Sequence, residues 1–220
     1  MLTRGDRMNL SPRRRRKLES SVRRICVHES GHATSNHFLC FGSEVAGLEL
    51  ARWKHGGLPQ GWCYHSFKWN HIDTSSLWRQ LDRMTCIVAG LAAEIVCGLL
   101  GDYDLEYQAA TQVMTEADGG DLEKHLHLSA ALWKRSKAYR AIVQDREHAE
   151  HGITCAVRFL APHRATIEKL ASSLEEKFWS SPDGYGVLLG DDIERIIGSA
   201  PSGGSGIEAA ICRNTLPEVM

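Results

Sequence analysis

The sequence predicts a mainly α-helical domain that carries one small β-hairpin or sheet. Three observations lead to this fold class. Apolar residues recur every three to four positions in most of the chain after residue 74, as on the buried face of a helix. Residues 43–68 are different: they contain short stretches rich in β-forming residues that partly alternate. The composition, 43% apolar and 24% charged over 220 residues, is ordinary for a globular domain.

The N-terminal region is strongly basic. Residues 1–24 hold nine Arg or Lys against two acidic residues, whereas the whole chain has a net charge of −1. The pair Ser11-Pro12 predicts a helix start, with serine as cap and proline in the first turn. No aromatic residues are interleaved with the basic block at 13–17. We therefore interpret residues 1–20 as a basic, partly disordered segment with a solvated helical face, and nucleic acid is not an expected partner.

Residues 28–32 read H-E-S-G-H, a spacing with a chemical reason. Positions four apart on an α-helix lie nearly one above the other, so His28 and His32 can present their imidazoles to one metal ion. Glu29 then lies beside the first ligand, where it can act as general base toward a metal-activated water. No proline interrupts residues 22–41, which favours one continuous helix. The sequence therefore predicts a metal-binding helix.

The later elements are predicted from periodicity and from turn-forming residues. Residues 45–50 and 62–67 are β-forming stretches joined by a turn-rich connection at 55–61. A helical pattern runs through residues 74–100, and its small residues at 89–93 allow close helix packing. Further helices are predicted at 105–116, 121–136, 138–160, 163–180 and 191–197, and the Gly/Ser-rich residues 199–220 are predicted to form a flexible tail.

A catalytic zinc ion usually takes three protein ligands and keeps one position for water. Two residues qualify as the third ligand. Glu94 lies on the helix with the small residues, and Asp121 starts a helix after two glycines that let the backbone approach closely. We interpret His125 and His127 as surface histidines, with His125 as an alternative ligand or neighbour of the metal because it shares a helical face with Asp121.

Three motifs, in this order, resemble the FtsH family of ATP-dependent zinc peptidases. Residues 28–33, H-E-S-G-H-A, are similar to the family's H-E-x-G-H-A. Residues 89–94, A-G-L-A-A-E, resemble its G-G-x-A-A-E, and residues 120–122, G-D-L, resemble its later Asp-Leu segment. Residues 164–171 and 190–193 are similar to its C-terminal helices.

The resemblance covers about residues 22–198, and we assign a peptidase domain to residues 21–198. It implies a zincin-like version of the helical fold, with Zn2+ as the cofactor. The zinc ligands that the resemblance implies are His28, His32 and Asp121. Glu29 would be the catalytic base, and Glu94 would be a helix residue near the site.

These features predict a zinc-dependent endopeptidase that hydrolyses peptide bonds in unfolded polypeptides. A polypeptide substrate would add as a strand along the edge of the 45–68 element. The candidates for stabilising the oxyanion are Tyr64, His65 and His125. The 220 residues contain no G-x-x-x-x-G-K-[ST] phosphate loop, so we expect a stand-alone peptidase domain. The sequence leaves open whether a separate ATPase partner supplies its substrates and whether the chain forms a homo-oligomer.

An alternative function from a different class is that of a non-catalytic protein. The chain would then be a metal-containing adaptor or binding module that uses the basic N-terminal segment. Glu29 argues against this alternative, because a binding module needs no base beside its metal ligands.

The cysteines and the apolar runs bear on location. The seven cysteines form no C-x-x-C pair, so we expect neither a disulfide framework nor a cysteine zinc site. Free thiols fit a reducing compartment, and no apolar run follows the N-terminal charges, so we expect a cytoplasmic protein. The longest apolar run, residues 84–101, contains Glu94 and many small residues, which suits a buried helix better than a membrane span.

Overall fold

The computed structural model describes residues 11–39, 45–51, 59–65, 77–100, 119–142 and 148–198. The helices in these ranges are α1 (Pro12–Leu39), α2 (Leu77–Ile87), α3 (Ala89–Val96), α4 (Gly119–Arg135), α5 (Lys137–Ile142), α6 (His148–Leu160), α7 (Arg164–Ser180) and α8 (Gly190–Gly198), with a 3₁₀ turn at Ala161–His163. The strands are β1 (Val45–Ala51), β2 (Gln60–His65) and β3 (Tyr185–Leu189). They form one antiparallel sheet in the order β2-β1-β3. The predicted class, mainly α-helical with a small β-hairpin or sheet, is confirmed.

Helix α1 is the element around which the described fold is built. It begins at Pro12, as the sequence predicts, and the Ser11 carbonyl accepts a hydrogen bond from the Arg15 N–H at 3.0 Å. Residues 11–17 are exposed, so the basic block is solvated. From Val22 onward the helix has a buried face, and it packs against α3, α7 and the sheet. The buried half of α1 carries the H-E-S-G-H motif.

Strands β1 and β2 form the predicted hairpin. Leu48 pairs with Cys63 and Glu49 pairs with Trp62, and Ala46 is the extra residue of a bulge near the start of β1. Successive side chains of a strand point to opposite faces. Leu48 therefore points inward, where it is fully buried, and Glu49 points outward.

Strand β3 is not among the predicted elements. It pairs antiparallel with β1, with Leu188 opposite Leu48. Its sequence, Y-G-V-L-L, is too short and too uniformly apolar to show a strand period, and its partner lies far earlier in the chain. Gly186 allows β3 to lie close to α7, since a Cβ there would come within 2.7 Å of the Phe178 backbone nitrogen. This segment therefore becomes a strand through long-range packing, since its own sequence carries no strand signal.

The prediction of one helix for residues 74–100 is wrong in one respect. The structure has two helices there, α2 and α3, with a break at Val88. Val88 is buried and has φ −97° and ψ 7°. The apolar period therefore continues across the break and hides it. Both helices pack against α1.

The remaining described helices lie close to their predicted positions. Helix α4 covers the prediction for 121–136, α7 covers that for 163–180, and α8 covers that for 191–197. The helix predicted at 138–160 is found as α5 and α6, with residues 143–147 between them outside the described part. Other predictions also fall outside the described residues: disorder at 1–10, most of the connection at 55–61, residues 66–67, the helix at 105–116 and the tail at 199–220.

Two apolar clusters hold these elements together. The larger one joins α1, α3, the sheet, α6, α7 and α8. The smaller one, which joins α2, α4 and α5, consists of Leu81, Met84, Leu132 and Tyr139. This second cluster fixes α4, whose first turn carries Asp121. Among the described helices, none is long and apolar enough to cross a membrane.

Candidate metal centre

The three side chains predicted to be zinc ligands converge at the buried half of α1. The Nε2 atoms of His28 and His32 are 3.2 Å apart, and Asp121 Oδ2 lies 3.1 Å from His32 Nε2. One ligand atom from each of the three residues lies within 4.8 Å of the other two. The histidines come from successive turns of α1, and Asp121 comes from the first turn of α4.

Glu94, the other candidate for third ligand, lies behind His28. Its Oε1 atom accepts a hydrogen bond from His28 Nδ1 at 2.8 Å, and its Oε2 atom accepts one from Nε of Arg24. Glu94 is only 1% exposed, so both partners offset the cost of burying its charge. A carboxylate in this position fixes the ring orientation and tautomer of a histidine ligand. Glu94 therefore positions His28.

His32 is held in the same way by a backbone group. Its Nδ1 atom donates to the carbonyl oxygen of Cys86 at 2.9 Å. Cys86 lies in the last turn of α2, where the carbonyl groups have no partner within the helix. The end of α2 thus supplies the acceptor, and both histidines direct Nε2 toward the shared centre.

Two glycines allow α1 and α3 to approach closely enough for this arrangement. A Cβ at Gly31 would lie 2.5 Å from the Ala89 carbonyl oxygen and 2.5 Å from the Ala93 Cβ, and a Cβ at Gly90 would overlap the His28 ring. The contact between α1 and α3 therefore involves the small residues at 89–93, which were predicted to allow close helix packing. This contact places Glu94 next to His28.

The two histidines can share a cation at this centre. With hydrogen on both Nδ1 atoms, the Nε2 lone pairs of His28 and His32 face one space, and they repel each other unless a proton or a metal ion lies between them. In the metal-free site a proton meets this need. Burial lowers the pKa of His32, but the hydrogen bond and charge of Asp121, with the charge of Glu29, outweigh burial and raise it to about 9.

Asp121 remains an anion in this environment. Burial alone would raise its pKa, but His32 and Lys124 outweigh burial and hold the pKa well below its usual range. Lys124 Nζ lies 2.8 Å from Asp121 Oδ1, which leaves Oδ2 directed at His32.

The donor set fits zinc. Two imidazole nitrogens and one carboxylate oxygen are ligands that zinc takes in catalytic sites, with a fourth position left for water. Tetrahedral bonds of about 2.0–2.1 Å separate neighbouring ligand atoms by about 3.3 Å. Two of the three separations, 3.2 Å between the histidine nitrogens and 3.1 Å from His32 to Asp121, are close to that value, and all three ligand atoms lie within 4.8 Å of one another.

Glu29 lies beside these ligands and beneath strand β2. It is 9% exposed. A Cβ at Gly61 would lie 2.7 Å from Glu29 Cγ and 3.1 Å from its Oε1 atom, so the strand passes directly over this side chain. Cys63 lies on the same face of β2, where burial and the charges of Glu29 and Asp121 raise its pKa. The inner face of β2 therefore covers the centre.

His125 was expected at the surface, and this expectation is wrong. The residue is fully buried, and a Cβ at Gly152 would overlap its ring, so it packs against α6. His127 is exposed, as predicted. Of the other oxyanion candidates, Tyr64 directs its hydroxyl to Glu49 Oε2 at 3.0 Å, and the His65 side chain lies outside the described part.

Three groups that shape the centre are not among the predicted site residues: Arg24, the Cys86 carbonyl and Gly61. Arg24 had a usable signal, since it lies four residues before His28 on the same helical face. The Cys86 carbonyl and Gly61 had none, because a backbone acceptor and the position of a strand over a helix depend on the tertiary fold.

No protein-family model matches this chain, and no curated protein matches it. The functional interpretation therefore depends on the geometry of the centre and on the motifs.

Gly90→Ala tests whether close packing positions the metal ligands. The new Cβ must displace the His28 ring, so we expect zinc affinity to fall at least tenfold, the range seen when a supporting contact of a ligand is lost. Alanine favours a helix by about 1 kcal/mol over glycine, so helix propensity cannot cause a loss. The matched control is Gly198→Ala, where a Cβ meets nothing within 4 Å. Zinc titration that gives equal affinities for both variants would contradict the packing argument.

Zinc binding should release a proton from His32. Its pKa of about 9 means that the ring is protonated in the metal-free protein at pH 7.5, whereas a ligand must be neutral. The apparent zinc affinity should therefore rise about tenfold per pH unit up to pH 9. Calorimetric titration at pH 7.5 in buffers of different ionisation enthalpy measures the release. Zinc binding with no released proton would contradict a His32 that is protonated in the metal-free protein and becomes a ligand.

Proposed function

We propose that this protein is a zinc-dependent endopeptidase of the FtsH type, which hydrolyses peptide bonds in unfolded polypeptides. The observation that carries the proposal is the convergence of His28, His32 and Asp121, with Glu29 adjacent to them. A binding module would need the three ligands, but it would have no use for a buried carboxylate beside them.

Each residue of the centre has a separate task. Zinc held by His28, His32 and Asp121 would polarise the scissile carbonyl and lower the pKa of a water molecule. Glu29 accepts a proton from the attacking water and returns it to the leaving amine. Glu94 and the Cys86 carbonyl keep both imidazoles oriented.

Strand β2 is the surface that suits an extended substrate. In the described part of the chain it pairs only with β1, so its other edge presents backbone donors and acceptors. A polypeptide that adds to this edge would satisfy its own backbone groups. Gly61 lies over Glu29, so this edge runs past the base.

Two further features support the family and the location in the proposal. The close contact at Gly31 and Gly90 gives a physical reason for the small residues in both motifs that resemble the FtsH peptidases. The cysteines of the described part are free thiols, which suits the reducing cytoplasm.

Parallel digestions test the proposed function. We expect the zinc-loaded protein to cleave casein, to lose this activity with a chelator, and to regain it when zinc is added. A stably folded domain should be spared, because its unfolding typically costs about 5–15 kcal/mol. ATP should have no effect, since the 220 residues contain no phosphate loop.

A destabilised, unfolded variant of that same domain is the matched control, and it should be cleaved like casein. Cleavage that persists in excess chelator would contradict the metallopeptidase assignment. ATP-stimulated degradation of the folded domain by the pure protein would contradict the restriction to unfolded chains.

A further inference from the structure

The outer face of the sheet carries exposed aromatic rings around one carboxylate. Trp62 is 38% exposed, and Tyr64 and Tyr185 are each 47% exposed. Glu49, in the central strand, pairs directly with Trp62 on one side and with Val187 on the other. We call Glu49 and the three aromatic residues the aromatic platform.

A hydrogen bond from Tyr64 holds the carboxylate in place. Tyr64 Oη donates to Glu49 Oε2 at 3.0 Å. Tyr185 lies on the same face of the neighbouring strand, and burial together with the charge of Glu49 raises the pKa of this second phenol. No ion pair among the described residues involves Glu49. The described part of the chain thus leaves its negative charge without a cationic partner.

The platform has the chemistry that recognises a cationic side chain. An arginine or lysine head group binds favourably over an aromatic face, and tryptophan is the best of these faces. A guanidinium can also form two parallel hydrogen bonds to a carboxylate. An acidic side chain would be repelled by Glu49, and an apolar one would bury the carboxylate without a cationic partner.

Two residues of the platform, Trp62 and Tyr64, lie on the strand that we propose for substrate binding. Side chains of β2 alternate between the two faces, so Gly61 lies over Glu29 on the inner face while Trp62 and Tyr64 point outward. Alternate residues of a polypeptide added to the edge of β2 would lie about 5 Å from these aromatic residues. Glu49 is one strand further, about 10 Å from the added strand. Only a long side chain that lies across Trp62 reaches it.

We propose that the aromatic platform is a specificity subsite that selects arginine or lysine in the polypeptide cleaved at the metal centre. The inference rests on the proposed peptidase function. Trp62 and Tyr64 would contact the aliphatic and cationic parts of the arginine or lysine side chain. Glu49 would form an ion pair with its charged head group.

The test uses the zinc-loaded full chain and unstructured peptides that differ at one position, scanned along the peptide. At one outward-facing position we expect kcat/KM to be about tenfold higher for arginine than for norleucine, an unbranched apolar residue that carries no charge. Glu49→Gln should reduce this ratio to about three, the part that the aromatic faces still supply, and Glu49→Lys should make glutamate the preferred residue. The matched control, Glu176→Gln on the exposed face of α7, should keep the wild-type ratio.

Binding to the zinc-loaded Glu29→Gln variant separates the subsite from the peptidase function. An arginine peptide should bind about tenfold more tightly than its norleucine counterpart, and the difference should fall to about threefold when Glu49→Gln is added. If this holds while the wild type cleaves no peptide, the platform is a binding site and the peptidase proposal fails. Cleavage without any preference for arginine would overturn the subsite instead. A Glu49-dependent dimer without arginine preference would also overturn it, because the platform would then bind a second copy.

Discussion

Glu29→Gln should retain about one zinc ion per chain and lose about 10³-fold in kcat toward casein peptides. Glutamine has nearly the same shape as glutamate, so the packing beneath Gly61 and the metal ligands should be unaffected. It cannot accept the proton of the attacking water, and a positioned general base typically contributes about 10²–10⁴-fold. Metal analysis and a peptide cleavage assay on the same sample measure the two quantities.

Glu176→Gln is the control for this variant, because it makes the same chemical change on an exposed surface of α7. It should keep both zinc and activity. A Glu29→Gln protein that holds zinc and cleaves as well as the parent would remove Glu29 from the mechanism.

The second large effect separates the two candidates for third ligand. Asp121→Ala removes an oxygen at 3.1 Å from His32 Nε2, so zinc content after dialysis should fall from about one per chain to less than about one tenth. Glu94→Gln keeps an oxygen that can accept the His28 hydrogen bond, so zinc should stay bound, with affinity weakened about 10–100-fold.

Asp192→Ala is a matched control for Asp121→Ala. Asp192 also lies in the first turn of a helix and pairs with a cation three residues later, Arg195, but it is remote from the centre. Its removal should leave zinc content unchanged. Loss of zinc in Glu94→Gln with retention in Asp121→Ala would define a His-His-Glu site instead and would weaken the resemblance to the FtsH family.

The metal-binding helix could be predicted from sequence because the signals that predict it lie in neighbouring residues. The four-residue spacing of His28 and His32 determines that both rings lie on one face wherever a helix forms. The continuous stretch without proline made that helix predictable, and the structure contains it. The fold class could be predicted for the same reason, since helical periodicity and short β-forming stretches are properties of neighbouring residues.

The rest of the site depends on contacts that no local pattern encodes. Spacing alone could not choose between Glu94 and Asp121, because both face α1 from other helices; only the resemblance favoured Asp121. The break at Val88 was hidden because this residue is buried like its neighbours in the apolar period. Likewise, His125 shares a helical face with Asp121, yet only the packing of α6 against α4 shows that it is buried.

The most direct test of the metal centre is anomalous scattering at the zinc edge from crystals grown with equimolar zinc. We predict one strong peak per chain, about 2.0–2.2 Å from His28 Nε2, His32 Nε2 and a carboxylate oxygen of Asp121. No peak at this position, or a peak bound by other residues while these three remain unliganded, would contradict the proposed metallopeptidase.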